Sequence, residues 1–274
     1  MSVIFKSFSS GSCGNCYFLA IREEGAVKAG VLVDAGVSLR RVKKELEAEK
    51  MSLDDFSAML VTHDHLDHIR GLGSFCKKLR KPVWATKELH HALAHHTFTH
   101  EYIDPCRKVL DKDGWNEIVP GEIRARYFIV PHDASQTVGY AIMLRDYKVV
   151  VITDAGSMTR EAMEYCHNAD TVVIESNYDF NMLMHGPYTE DLKRRITGGS
   201  GHMSNDQCAE AIRKFWHPGL HNLFLCHLSE NNNTPQLALA ASRAALDGLR
   251  PFEREPRLVA LPRQTPSVLF TLDL

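Results

Sequence analysis

No apolar stretch of this chain reaches the ~18 residues that a transmembrane helix needs. Nor does the N-terminus offer a signal peptide, because Lys6 and the serines around it break every apolar run. No membrane role is expected, and the chain reads as cytoplasmic. An excess of positive charge is missing too. Lys and Arg total 32 against 34 Asp and Glu, a formal net charge of −2. No global field therefore draws in nucleic acid, although a local basic site stays open. Internal repeats and low-complexity linkers are absent. Cysteines are few and odd in number, seven, in a chain long enough to need no staples, so free thiols are expected. Cys13 and Cys16 form a CxxC, but no second pair lies nearby to complete a zinc ribbon.

What is present is enough for a core: 44% of the 274 residues are hydrophobic. Short β-branched runs alternate with helical patterns. Strands are expected near 3–8, 16–21, 30–34, 58–62, 122–130, 137–144, 148–153, 171–174, 222–226 and 267–272. Helices are expected near 38–48, 71–80, 87–97, 159–166, 189–196, 204–216 and 235–248. Ser204 with Gln207 reads as a capping box, and Thr234 before Pro235 as an N-cap with Pro at the first helical position. The mixture of strand pairs and strand–helix units indicates an α/β protein with helices outside sheets.

The stretch VTHDHLDHIRGL, residues 61 to 72, concentrates metal-ligand residue types. His63 and His65 alternate as on a strand, so they share a face. Asp67 and His68 break that alternation and belong to a turn or a helix start. A strand end followed by a turn can aim all four at one point. Several other apolar runs also end in a ligand type: RYFIVP in His132, VVVIT in Asp154, TVVI in Glu175 and NLFLC in His227. Sites in α/β proteins lie outside the carboxyl ends of strands, and rigid strands hold ligands accurately. Seven candidates result: His63, His65, Asp67, His68, His132, Asp154 and His227. They exceed what one tetrahedral zinc uses and suit two ions bridged by Asp154. A second His-rich tract, HHALAHHTFTH at 90–100, has no carboxylate partner and reads as an exposed helix or lid.

HDHLDH resembles the HxHxDH signature of the metallo-β-lactamase superfamily, and His132, Asp154 and His227 fall where that family's other ligands fall. The resemblance covers nearly the whole chain. It implies a metallo-β-lactamase fold, a four-layer αβ/βα sandwich of two mixed sheets with outer helices, as a single domain over 1–274. It also implies His63, His65 and His132 on one ion, and Asp67, His68 and His227 on the other.

Two further segments resemble the nuclease branch of the superfamily. Glu175 in VVIESNYD looks like its acidic motif, and His202 in SGHMS like its second histidine. RNA-processing members carry a long insert between the two; here only 27 residues separate them, so no inserted nuclease subdomain is expected. SSGSCGNCYFL, NYDFNMLMHGPY and LKRRITGGSGHMSN look like the YycJ (WalJ) type of small bacterial hydrolase. That resemblance implies 5′-to-3′ exonuclease activity on DNA with two divalent ions, among zinc, manganese and iron. A metal-bound hydroxide would attack phosphorus. Asp67, Glu175 and His202 are the catalytic candidates. Ser204, before a helix N-terminus that favours anions, Ser229, Asn15 and Arg194 are the candidate substrate contacts. Lys193 and Arg195 flank Arg194, and Tyr178, Phe180 and Tyr188 could stack on bases. The rival readings are a thioesterase or lactonase of the same fold and a metal-binding regulatory protein without turnover.

Overall fold

The computed structural model describes residues 1–272. The first half of the chain runs β1 (Ser2–Gly11), β2 (Gly14–Glu23), β3 (Ala26–Val33), α1 (Leu39–Ala48), β4 (Ala58–Leu60), α2 (Leu66–Ile69), α3 (Leu72–Leu79), β5 (Val83–Ala85), α4 (Lys87–His95) and β6 (Arg107–Val109). The second half runs β7 (Asn116–Val119), β8 (Ile123–Ile129), β9 (Val138–Leu144), β10 (Tyr147–Ile152), α5 (Arg160–Cys166), β11 (Thr171–Glu175), α6 (Phe180–His185), α7 (Glu190–Thr197), α8 (Asn205–Phe215), β12 (Asn222–Cys226), α9 (Pro235–Asp247), β13 (Arg257–Ala260) and β14 (Phe270–Leu272). Two seven-stranded sheets result, ordered β14-β1-β2-β3-β4-β5-β6 and β13-β12-β11-β10-β9-β8-β7. Both are mixed. The runs β3 to β6 and β10 to β13 are parallel, and the remaining pairs are antiparallel.

Strand periodicity builds the layers. Along β1, Val3 and Phe5 enter the core between the sheets, whereas Ile4 and Phe8 enter the core beneath the first sheet's helices. Tyr17, Tyr140, Val149 and Phe224 join the inter-sheet core, where the Phe5 and Phe224 rings sit 4.7 Å apart. Val42, Leu46, Phe75 and Leu89 bring α1, α3 and α4 onto one sheet; Cys166, Ile212, Phe215 and Ala238 bring α5, α8 and α9 onto the other. Each such large apolar side chain contributes about 1.5–3 kcal/mol when fully buried. Strands buried on both faces show as continuous apolar runs, which is why they are legible in the sequence.

Six short elements, β5, β6, β7, β13, α2 and α6, were not expected from periodicity; each is three to six residues long. Ser38, Thr159, Thr189 and Thr234 each accept a backbone N–H at the start of a longer helix. The consequence for function lies at one edge. There β3, β4, β8, β10, β11 and β12 all terminate, and at their last residue or within three residues beyond it come Asp34, the start of the His63–His68 segment, His132, Asp154, Glu175 and His227.

Candidate metal centre

After β4 the backbone stays extended to His65, which is the N-cap residue of α2, and the first turn of α2 carries Asp67 and His68. The chain thereby turns through the cleft and presents four side chains from one short segment. His63, His65 and His132 each offer a ligand atom, all within 4.8 Å of one another. Asp67, His68 and His227 do the same. Asp154 lies between the two trios: its Oδ2 is 3.2 Å from His68 Nε2 and its Oδ1 is 3.8 Å from His132 Nε2.

The ring nitrogens are sorted. His68 Nδ1–H donates to Asp34 Oδ2 at 2.7 Å. Thr62 Oγ1 also donates to Asp34 Oδ2, at 2.8 Å, so its oxygen is free to accept from His63 Nδ1 at 3.0 Å. His65 Nε2–H donates to Asp133 O at 3.2 Å, and His132 Nδ1–H to Gly201 O at 2.8 Å. His227 Nδ1–H faces Glu175 Oε1 at 3.2 Å. In each of these five rings an outer acceptor engages one nitrogen and leaves the other to converge on the cleft. Such partners fix the tautomer and raise ligand basicity at metal sites.

Among the seven ligand candidates, two buried atoms lack any hydrogen-bond partner, His63 Nε2 and Asp154 Oδ2. An unsatisfied buried polar group costs about 1–3 kcal/mol, and a cation between them would satisfy both. Electrostatics differ between the trios: two rings of the first are held neutral, whereas the carboxylates around His68 and His227 hold protons there that a cation would displace. Burial, then the neighbouring His68 charge, push His63 well below the ordinary imidazole range, and burial lowers His132. Both are thus neutral, the form that ligates. Burial works against a proton on His68, but the Asp34, Asp154 and Asp67 carboxylates outweigh it and raise the ring to about 10. The residues present fit divalent cations. Two residues of the edge, the outer acceptor Asp34 and the ligand candidate His227, hold left-handed backbones at φ 61 and 52. Strain of this kind costs about 1–3 kcal/mol and gathers at functional sites.

Residues 30–222 match the β-lactamase superfamily domain. The chain belongs to the metallo-β-lactamase superfamily. It is 32% identical over 238 residues to exodeoxyribonuclease YycJ of Bacillus anthracis, covering 87% of both chains. It is 32% identical over 234 residues to exodeoxyribonuclease WalJ of Streptococcus pneumoniae serotype 2 (strain D39), covering 85% of this chain and 84% of the relative. The metallo-β-lactamase fold protein YhfI from Bacillus subtilis superposes with a TM-score of 0.70 at 15% identity, over 99% of this chain and 100% of that one. The superfamily comprises metal-dependent hydrolases, so the chain is a hydrolase with the YycJ/WalJ proteins as relatives.

Within this superfamily site, Glu175 is fully buried. Its Oε2 accepts the backbone N–H groups of Ala155 at 3.0 Å and Met203 at 3.1 Å. Its Oε1 accepts from His202 Nδ1 at 2.6 Å, beside His227 Nδ1. His202 Nδ1 is thereby engaged, and the ring lines the cleft together with Asp67, Asp154 and His227. Burial opposes a proton on His202, but the Glu175 charge and hydrogen bond outweigh it and raise the ring above its ordinary value. Asp154, Glu175, His202 and His227 also offer atoms within 4.8 Å of one another.

The other sequence candidates divide. Ser229 lines the cleft. Asn15 is buried behind it; its Nδ2 donates to Asp67 Oδ2 at 3.2 Å and lies 2.9 Å from His68 Nε2. Ser204 is not on the cleft wall: its Oγ caps α8 by accepting from Gln207 N at 3.1 Å, and Gln207 Oε1 accepts from Ser204 N in return. Arg194 points away too, its side chain 78% exposed and 3.6 Å from Asp191. Arg195, one residue on, lines the cleft and pairs with Asp133. In the second His tract, His90 is buried and donates to Lys108 O at 2.8 Å, while the His91 and His95 rings lie 4.6 Å apart, tilted, on the outside of α4. None of that tract lines the cleft. Residues not anticipated are Asp34, Thr62, Asp133 and Asn177, whose Nδ2 donates to His227 O at 2.8 Å. Asp34 was detectable, since VLVD is one more apolar run that ends in a carboxylate. The seven cysteines are free thiols, and Cys13 alone is exposed.

Proposed function

We propose that the protein is a two-metal phosphodiesterase that degrades DNA from its 5′ end, carried by one domain without an inserted nuclease subdomain. The observation that carries this reading is the sorting of the five histidine rings. Each has one nitrogen engaged by an outer acceptor and the other turned to one of two trios that share Asp154. The trios have the membership that the superfamily resemblance implies. DNA as substrate rests on the exodeoxyribonuclease relatives, and the 5′-to-3′ polarity on the likeness to the YycJ type.

His63, His65 and His132 would hold one divalent ion; Asp67, His68 and His227 would hold the other; Asp154 would bridge them. Zinc, manganese and iron all suit these nitrogen and oxygen donors. Bound as a pair, such ions supply Lewis-acid charge at the attacked phosphate and its leaving oxygen. The protein's own groups do the rest. Glu175 holds the His202 ring through Nδ1, which leaves Nε2–H to donate to a phosphate oxygen or to protonate the leaving oxygen. Asn15 orients the Asp67 carboxylate. Ser229 supplies a neutral hydroxyl at the cleft wall. Among the described residues no helix is long and apolar enough to cross a membrane, so nothing in these helices ties the cleft to a bilayer.

The test is a time course on single- and double-stranded DNA labelled at the 5′ or the 3′ end, with manganese, zinc or magnesium added. Early release of labelled mononucleotide from 5′-labelled strands, abolished by chelator, is the expected result. Turnover of thioesters or lactones by metal-loaded protein that leaves every DNA intact would overturn the reading.

A further inference from the structure

Part of the cleft wall belongs to α7. Leu192, Arg195 and Ile196, at helical spacing, share its inward side, and Tyr188 stands just before its cap residue. This face is unusual for a helix over a catalytic centre. Leu192 and Ile196 are only half-buried, and the one buried residue of α7 is Lys193. Lys193 is spent on Met184 O at 2.8 Å and Glu190 at 3.1 Å. An amphipathic helix ordinarily turns its apolar stripe into a core; here the stripe faces the cleft instead. The cleft measures about 270 Å³, near the lower bound of roughly 300 Å³ for small-molecule sites. That is the scale of a single nucleotide unit.

Arg195 sits on the same face, between the apolar side chains, and its guanidinium is held by Asp133 across the cleft mouth. Asp133 in turn contributes its carbonyl to His65. An arginine latched to a carboxylate beside an anion-processing centre can exchange one oxygen fork for another, since carboxylate and phosphate present similar geometry to a guanidinium.

Resting on the phosphodiesterase reading, we propose that this α7 face is the subsite for the terminal nucleotide of the substrate strand. Tyr188, Leu192 and Ile196 take its base and sugar, and Arg195 moves from Asp133 to a phosphate of the strand. The apolar side chains make contact without hydrogen-bond readout, so the subsite accepts all four bases. That suits an enzyme that removes nucleotides in succession.

The test compares two chromogenic diesters with the same leaving group, thymidine 3′-(p-nitrophenyl phosphate), whose phosphate sits on O3′ as that of a 5′-terminal nucleotide does, and methyl p-nitrophenyl phosphate, together with an end-labelled oligonucleotide. Metal content is measured in every variant. Wild-type protein should prefer the nucleoside ester. Leu192→Ala combined with Ile196→Ala should lose about 5–150-fold on the nucleoside ester, the loss expected for removing the apolar contact of two aliphatic side chains, and far less on the methyl ester. Arg195→Gln should lose about 10–150-fold in kcat/KM on the oligonucleotide, the loss expected for one hydrogen bond to a charged group, with Arg195→Lys restoring part of it. Arg194→Gln removes the same charge one residue away on the outer face and should cost little. Equal losses in Arg194→Gln and Arg195→Gln would reduce the effect to diffuse charge and overturn the proposal. So would equal losses on both esters in the Leu192/Ile196 variant, or a wild type without nucleoside preference. Metal-loaded wild type that cleaves neither the esters nor DNA would instead bring down the phosphodiesterase reading itself, and this subsite with it.

Discussion

Replacing Glu175 with Gln changes one oxygen to NH2 and leaves the shape intact. The fully buried carboxylate meets four N–H groups: Ala155 N and Met203 N at Oε2, and the Nδ1 atoms of His202 and His227 at Oε1. A carboxylate can accept from all four, whereas a Gln amide has one oxygen. Whichever way it turns, its NH2 opposes two donors. With the amide oxygen on the backbone pair, the rings can accept only by shifting their protons to Nε2. For His227 that places a proton on the nitrogen 3.3 Å from Asp67 Oδ2, where a ligand lone pair is needed. With the oxygen on the rings, the two backbone N–H groups are stranded in a dry interior. Two charge-assisted hydrogen bonds are lost in either case, a ceiling of about 3–6 kcal/mol shared between stability and metal binding. Outer partners of metal ligands ordinarily carry about 10–100-fold in metal affinity or activity, equivalent to about 1.4–2.8 kcal/mol at 1.4 kcal/mol per tenfold. The folded Glu175→Gln variant should therefore bind metal, and cleave substrate, about 10–100-fold less well. Chelator competition measures the first and steady-state turnover the second, with circular dichroism reporting the fold. A folded variant with wild-type metal affinity and wild-type turnover would show that Glu175 merely packs, and the role assigned to it would be abandoned.

His202→Ala should keep the fold and both ions but lose about 10²–10⁴-fold on DNA, the usual worth of general acid help. Its loss on bis(p-nitrophenyl) phosphate should be smaller, because that leaving group needs little protonation; metal analysis and rates on both substrates check this. Asp34→Ala strands Thr62 N, Thr62 Oγ1 and His68 Nδ1 and should cost about 3–5 kcal/mol, as breaking a buried charged network does. Asp34→Asn, which tolerates the left-handed backbone, should cost less; urea unfolding of both variants reads the difference. Cys13→Ser with Cys16→Ala should leave metal content unchanged, and loss of metal in that protein would reopen the ligand set.

Much of the edge is legible because strand ends announce it. AMLVT, VVVIT, TVVI and NLFLC are apolar on both faces and RYFIVP on one, and each stops at a residue whose chemistry does not belong in a core. The same pattern ends β3 at Asp34, but a lone carboxylate after a strand has no spacing partner in sequence to mark it. The short strands β5, β6 and β7 escape periodicity: VWA, RKV and NEIV hold too few residues to show a period of two. The phase of α7 is hidden for another reason. In LKRRIT the three cations are adjacent, and only tertiary packing decides that Lys193 is buried, Arg194 faces out and Arg195 faces the cleft. Ser204 carried two readings, anion contact and cap, and the hydrogen bonds show it engaged as a cap.

Metal stoichiometry tests the two-trio centre most directly. Protein purified with divalent metal supplied, and analysed for its elements, should carry about two ions per chain, as two trios sharing a carboxylate require. Asp154→Ala should weaken both sites and bring the content well below that of the wild type. A firm stoichiometry of one ion, unchanged by Asp154→Ala, would contradict the bridged pair and leave one of the trios without a metal role.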